Sequence, residues 1–333
     1  MSARLHIVAP GMLTTVQDLG RPGYEHMGVP PSGAMDPGAL RLANALAGNP
    51  GDLAALEFTV TGGRLRVLDA DCTLAFAGSA ALHVSAAGGL PARALAPWQS
   101  HRVPAGATLT IGPLARGMRG YLAASGGIAV EPVLGSASTL TRAGLGGIEG
   151  RALKRDDILP IGRARAPFQR RWVPLRHTAW FYRDAPIGVI LGPQQDHFSA
   201  SEIRRFLSAT YRLAPQSDRM GLRLDGPAIA HAQGADIITD PIAAGSIQIP
   251  GAGQPLIAMN DRQTTGGYPK IATVISADLP RLAQMRPGQP LRFEAMDAAA
   301  AIERLRSDTQ WLDTRERELR ADPNFPIFPL LLP

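Results

Sequence analysis

Residues 256–276 read LIAMNDRQTTGGYPKIATVIS. A short apolar run, a polar loop closed by paired glycines and a second apolar run rich in β-branched residues follow one another within 21 positions. Apolar runs of this length, bounded by turn residues, have the signature of strands rather than helices. The same rhythm recurs at 65–68, 73–76, 108–111 and 187–191. The chain's 36 glycines and 29 prolines punctuate such runs throughout instead of gathering in one linker. The chain is therefore expected to be mainly β. Helical periodicity is confined to residues 37–47, 199–208 and 298–318, the first opened by an Asp36-Pro37 cap signal.

At 333 residues, with 45% hydrophobic and 19% charged positions, the chain is long enough for two core-bearing regions. The expected division is 1–165, 166–297 and a helical, proline-rich extension at 298–333, with the arginine- and aromatic-rich stretch 163–183 as the connection. A weak internal echo supports two halves: DLGRPGY (18–24) and PSGAM (31–35) are answered, in swapped order, by DRQTTGGY (261–268) and PQSDRM (215–220).

The formal net charge of +6 comes from scattered residues, without a basic run. That pattern suits a small anionic ligand better than a nucleic acid. The apolar end, 325–333, is too short to span a bilayer and is broken by prolines, so it reads as a docking tail, and no membrane association is expected. Residues 1–10 lack a secretory signal pattern, which points to the cytoplasm. Cys72 lies in an apolar run and reads as a buried thiol. The seven histidines show no metal spacing, and neither GxSxG nor GxGxxG occurs, so no metal site is expected.

Four loops concentrate polar chemistry. TTVQDLGRPGY (14–24) places Asp18, Arg21 and Tyr24 around a turn built on Gly20, Pro22 and Gly23; the plainer reading is that Asp18 caps a turn and Arg21 pairs with it. VPPSGAMD (29–36) sets Ser32 and Gly33 before the helix that Asp36 caps, a cradle able to receive an anion. PQSDRM (215–220) offers Gln216, Ser217, Asp218 and Arg219, which grip a ligand or form a solvated turn. In NDRQTTGGYPKIAT (260–273), Asp261, Arg262, Gln263, Thr264, Thr265 and Tyr268 surround two glycines that let backbone approach a ligand, although the spacing is not that of a P-loop. Lys270 ends that loop and is one of only two lysines beside 32 arginines. An ammonium kept there either loses its proton in a desolvated site or serves as a compact point charge.

These four loops, together with NALAGNP (44–50), GYLAASGG (120–127) and GPQ (192–194), resemble one bacterial family, that of the 5-oxoprolinase C-type subunits, also known as KipA-like or allophanate hydrolase subunit 2. It is also similar to the carboxyltransferase region of urea carboxylase, and the likeness runs over 5–293. The resemblance implies two cyclophilin-like β-barrels with a few short helices. It further implies a hydrolase subunit, inactive alone, whose partners are the 5-oxoprolinase subunits of A and B type, a KipI-like partner among them. The implied reaction opens the lactam of a small substrate, 5-oxoproline, to glutamate at the expense of ATP, with any Mg held by a partner. Biotin is not expected to be attached covalently, because the chain has no Ala-Met-Lys-Met sequence. A carboxyltransferase component and a regulatory KipA-like protein that binds a kinase inhibitor are the alternatives. From side-chain chemistry, Lys270 and Arg21 would stabilise negative charge, Asp18 or Asp261 would orient water or accept a proton, and Ser32, Ser217, Thr264 and Thr265 would hold polar ligand groups.

Overall fold

A computed structural model of the chain describes residues 2–85, 92–165 and 167–321. The expected docking tail at 325–333 lies outside them. The molecule is mainly β, and its two large sheets form a half-barrel and a nearly closed barrel, as expected. Among the described residues, no helix is long and apolar enough to cross a membrane.

The chain divides into two compact units, each drawing on separated segments. Among the described residues, the first is drawn from the ranges 1–20, 36–182 and 310–333, and the second from 21–35 and 183–309. The helix Ala298–Ala321 contributes residues to both, up to Thr309 in the second and from Gln310 in the first.

The first unit is a nine-stranded antiparallel sheet. Its main path runs Leu13–Gln17, Ala55–Thr59, Thr108–Ala124, Arg64–Leu68, Arg4–Ala9 and Ile158–Pro160. The long strands Cys72–Ser85 and Thr108–Ala124 pair along most of their length, with register shifts near Ser79 that bend the ribbon. Alternation along Arg64–Leu68 sends Leu65 and Val67 into a core with Leu5, Phe58, Phe76 and Leu122. The helix Pro37–Ala47 has the bounds that the sequence predicts. The Asp36 carboxylate accepts from Ala39 N at 3.0 Å, proline occupies the first turn, and Gly48 at φ 81° ends it.

The second unit is an eight-stranded sheet ordered Pro290–Leu291, Tyr211–Leu213, Gly221–Asp225, Leu256–Ala258, Ser246–Gln248, Lys270–Val274, Ile187–Leu191 and Phe293–Ala295. Its last pair is parallel and the rest are antiparallel. Ile187, Val189, Ile247, Ile257 and Ile271 fill its core, and Phe206 stacks on Phe293 with ring centres 4.6 Å apart. A separate two-stranded ribbon pairs Asp240–Pro241 with Thr265–Gly266. The segment 21–35 belongs to this unit, and its Met35 side chain is part of the same core.

Candidate functional site

In the second unit, the loop 260–268 is the hub to which other polar segments are tied. Asp261 N donates to Arg219 O at 2.9 Å, and Arg219 answers with two bonds to the Asp261 carboxylate, from Nε at 2.8 Å and Nη2 at 3.0 Å. The side chains are 7% and 5% exposed, so this is a buried, bidentate pair. Arg219 Nη2 also donates to Gly33 O at 2.7 Å and Ser32 Oγ at 3.3 Å. Asn260 Nδ2 donates to Ala34 O at 2.9 Å, and Ser32 N donates to Asn260 O at 3.2 Å. The 21–35 loop is thus held by residues more than 180 positions away, with Ser32 itself in the left-handed region at φ 55°.

The far end of the hub carries Lys270. Its side chain is 4% exposed, and Nζ donates to Asp240 Oδ2 at 2.5 Å, whereas Asp240 is 41% exposed. Gln194 joins both: its Oε1 accepts from Lys270 N at 3.2 Å and its Nε2 donates to Asp240 Oδ2 at 3.3 Å. The hydrogen bond from Lys270 holds the Asp240 carboxyl below the usual carboxylate range, so it remains an anion. Gly192 must be glycine, since a methyl group there would overlap the Lys270 carbonyl oxygen. Gln248 lies directly across from Lys270 in the strand register, and cross-strand partners share a face. Between the two ends, Arg262 is buried, donates through Nε to Ile242 O at 2.8 Å and lies 3.9 Å from Glu25. Burial pulls its pKa down, and the charge of Glu25 only partly offsets that.

The remaining sequence candidates divide by what they touch. Arg21 is 1% exposed in the second unit, its N donating to Pro31 O; Tyr24 O accepts from Met27 N and Val29 N, closing the turn after the Gly-Arg-Pro-Gly sequence. Ser217 Oγ donates to Ala214 O at 2.8 Å, Asp218 accepts from Met220 N and Gly221 N, and Gln216 is exposed. Those three build a hairpin turn, and Arg219 alone of that quartet turns inward. Thr264 O accepts from Ile242 N, Thr265 belongs to the ribbon, and Gln263 and Tyr268 reach solvent. In the first unit, the Asp18 carboxylate is occupied by Gly20 N, Ser136 Oγ, Ala137 N and Ser138 Oγ, and Asp36 by its helix. Cys72 is buried, and burial pushes its thiol up to about 12.

Asp240 and Gln248 are not among the residues that the sequence singles out, whereas Arg262 stands in the polar run that opens the 260–273 segment. An Asp-Pro step in an otherwise apolar stretch (IITDPIA) and a lone amide inside SIQIP are the signals that could have raised the first two. Buried ammonium and amide donors beside an exposed carboxylate can bind and stabilise an oxyanion.

The chain belongs to the carboxyltransferase family of subdomains A and B, whose model matches residues 27–295. It is 39% identical to the C-type subunit of Escherichia coli 5-oxoprolinase over 311 residues, covering 92% of this chain and 95% of that one. The corresponding 5-oxoprolinase subunit of Haemophilus influenzae is 35% identical over 91% of this chain and 94% of its own length. Urea amidolyase of Saccharomyces cerevisiae is 33% identical over 87% of this chain, which matches only 16% of that protein. The crystal structure of Kluyveromyces lactis urea amidolyase superposes with a TM-score of 0.84 at 29% identity, over 94% of this chain and 20% of that one.

Proposed function

We propose that the chain is the C-type subunit of an ATP-dependent 5-oxoprolinase, working in the cytoplasm with A- and B-type partner subunits, a KipI-like chain among them, to open 5-oxo-L-proline to L-glutamate. One observation carries this reading: the match to two such 5-oxoprolinase subunits runs almost end to end in both chains, whereas the urea amidolyases hold the matching region as a small part of a much longer protein.

In that reaction, the lactam oxygen takes the γ-phosphoryl group of ATP and ADP leaves; water adds to the activated carbon, the C–N bond breaks as the ring nitrogen takes a proton, and a second water releases phosphate from the resulting acyl phosphate to give glutamate. The contribution of this chain is electrostatic. The Lys270 ammonium stabilises negative charge on phosphoryl or carbonyl oxygen, and Gln194 keeps it in place through its backbone N–H. Arg219 and Asp261 position the 32–34 backbone rather than react, because each satisfies the other.

Carboxyl transfer from a biotinylated carrier is the second reading, favoured by the family match and by the superposition on urea amidolyase. The two separate in one experiment. The chain is co-purified with its A- and B-type partners, and glutamate release from 5-oxoproline is measured with and without ATP. ATP-dependent release is expected. No release, with capture of a biotinylated carrier protein instead, would overturn the first reading in favour of the second.

A further inference from the structure

Lys270 is almost wholly buried, yet its counter-ion sits at the surface on a ribbon only two residue pairs long. Ribbons that short have little stability of their own. The carboxylate is itself 41% exposed and can return to water, while the buried ammonium it leaves needs an incoming anion in its place. The donors, in contrast, are built into the large sheet. Asp240 Oδ2 receives both the Lys270 ammonium and the Gln194 amide. Gln248 is 2% exposed, and among the described residues its Nε2 has no acceptor at all. A buried N–H without a partner is rare enough to require an explanation. The space beside it is kept open by glycine: a side chain on Gly266 would overlap Ile242 and come within 3.0 Å of the Gln248 and Gln263 amide nitrogens.

We infer that Lys270, Gln194 and Gln248 form an oxyanion-binding site in which the Asp240 carboxylate is an internal stand-in, displaced when a carboxylate or phosphate group arrives. The incoming oxygen inherits the two donors that Asp240 used and gives the Gln248 amide its missing acceptor. Asp240 swings out with its ribbon into water. The site gains specificity for anions because a neutral ligand cannot compete with the resident carboxylate. This deepens the reading of Lys270 given above, and it rests on that residue being part of the functional site.

The chain holds only two lysines, Lys154 and Lys270, and Lys154 is exposed. Side-chain NMR of the full chain labelled in lysine therefore gives one reporter and one internal reference. Titration with inorganic phosphate, and separately with acetate, should shift the Lys270 signal saturably while Lys154 stays put. Whichever anion saturates at the lower concentration identifies a phosphoryl or a carboxylate source. Asp240→Asn should tighten that anion about tenfold by removing the competitor, and Gln248→Leu should weaken it about fivefold. An unmoved Lys270 signal, one moving in step with Lys154, or an affinity unchanged in Asp240→Asn would overturn the inference. Because no turnover is read, an assembled enzyme that fails to release glutamate while Lys270 still answers to anions would sink the enzymatic reading alone.

Discussion

Replacing Asp261 by asparagine preserves shape and removes one charge, and so it tests whether the Arg219 clamp holds the second unit together. The guanidinium, 7% exposed, would lose the negative charge that faces it in the bidentate pair. Removing one member of a buried pair costs about 3–5 kcal/mol, since the surviving charge is stranded in a medium of low polarity. For a unit of this size, that corresponds to a fall in Tm of roughly 10–20 °C. The double variant Arg219→Met/Asp261→Leu removes both members of this pair together. It still deprives Gly33 O of its 2.7 Å donor, a loss of about 1–3 kcal/mol. The double variant should thus be more stable than the single one. Urea and thermal unfolding followed by circular dichroism measure both. A single variant within about 1 kcal/mol of wild type, or a double variant no better than the single, would refute the clamp as the source of this stability.

Other positions give simpler expectations. Gly192→Ala should cost about 1–3 kcal/mol or more in urea unfolding, because the methyl group meets backbone at Lys270 and cannot be accommodated by a rotamer change. Cys72, with its thiol pushed up to about 12, should react with iodoacetamide at neutral pH on the order of a thousandfold more slowly in the native chain than in urea. Burial opposes charge on Asp157, but hydrogen bonds from Arg151 and Lys154 N overcome it and hold the carboxyl below 3.8. Its stabilising contribution is therefore complete above the ordinary aspartate value and lost as pH falls through the lowered folded value. Asp157→Asn should flatten the acid limb of stability measured as urea midpoint against pH.

The features legible in the sequence are those written in local signals. The strands expected at 65–68, 73–76 and 108–111 fall inside observed strands, and 187–191 is reproduced in full. The Asp36-Pro37 start and the Gly48 stop place the first helix without any tertiary information. The polar loops are visible too, but not which side chains they turn inward. In 216–219, four polar residues in a row are equivalent on paper, and only the contacts with Asp261 and Gly33 distinguish Arg219 from its neighbours. Asp240 is invisible for a related reason. Its meeting with Lys270 depends on the 240–241 ribbon pairing with 265–266 and on a strand register 22 positions apart at Gln248, both of them long-range consequences of folding. The attachment of 21–35 to the second unit is likewise made by Arg219 and Asn260, far along the chain.

The proposed activity rests on the buried ammonium at position 270 acting on substrate, and Lys270→Ala in the reconstituted assembly with both partner types tests it most directly. The variant should fold, since the Asp240 carboxylate it leaves behind is already 41% exposed and solvated. Glutamate formation from 5-oxoproline and ATP should fall by about a hundredfold or more, with the circular dichroism spectrum and the assembly unchanged. A correctly assembled variant that turns over at the wild-type rate would contradict that role for Lys270.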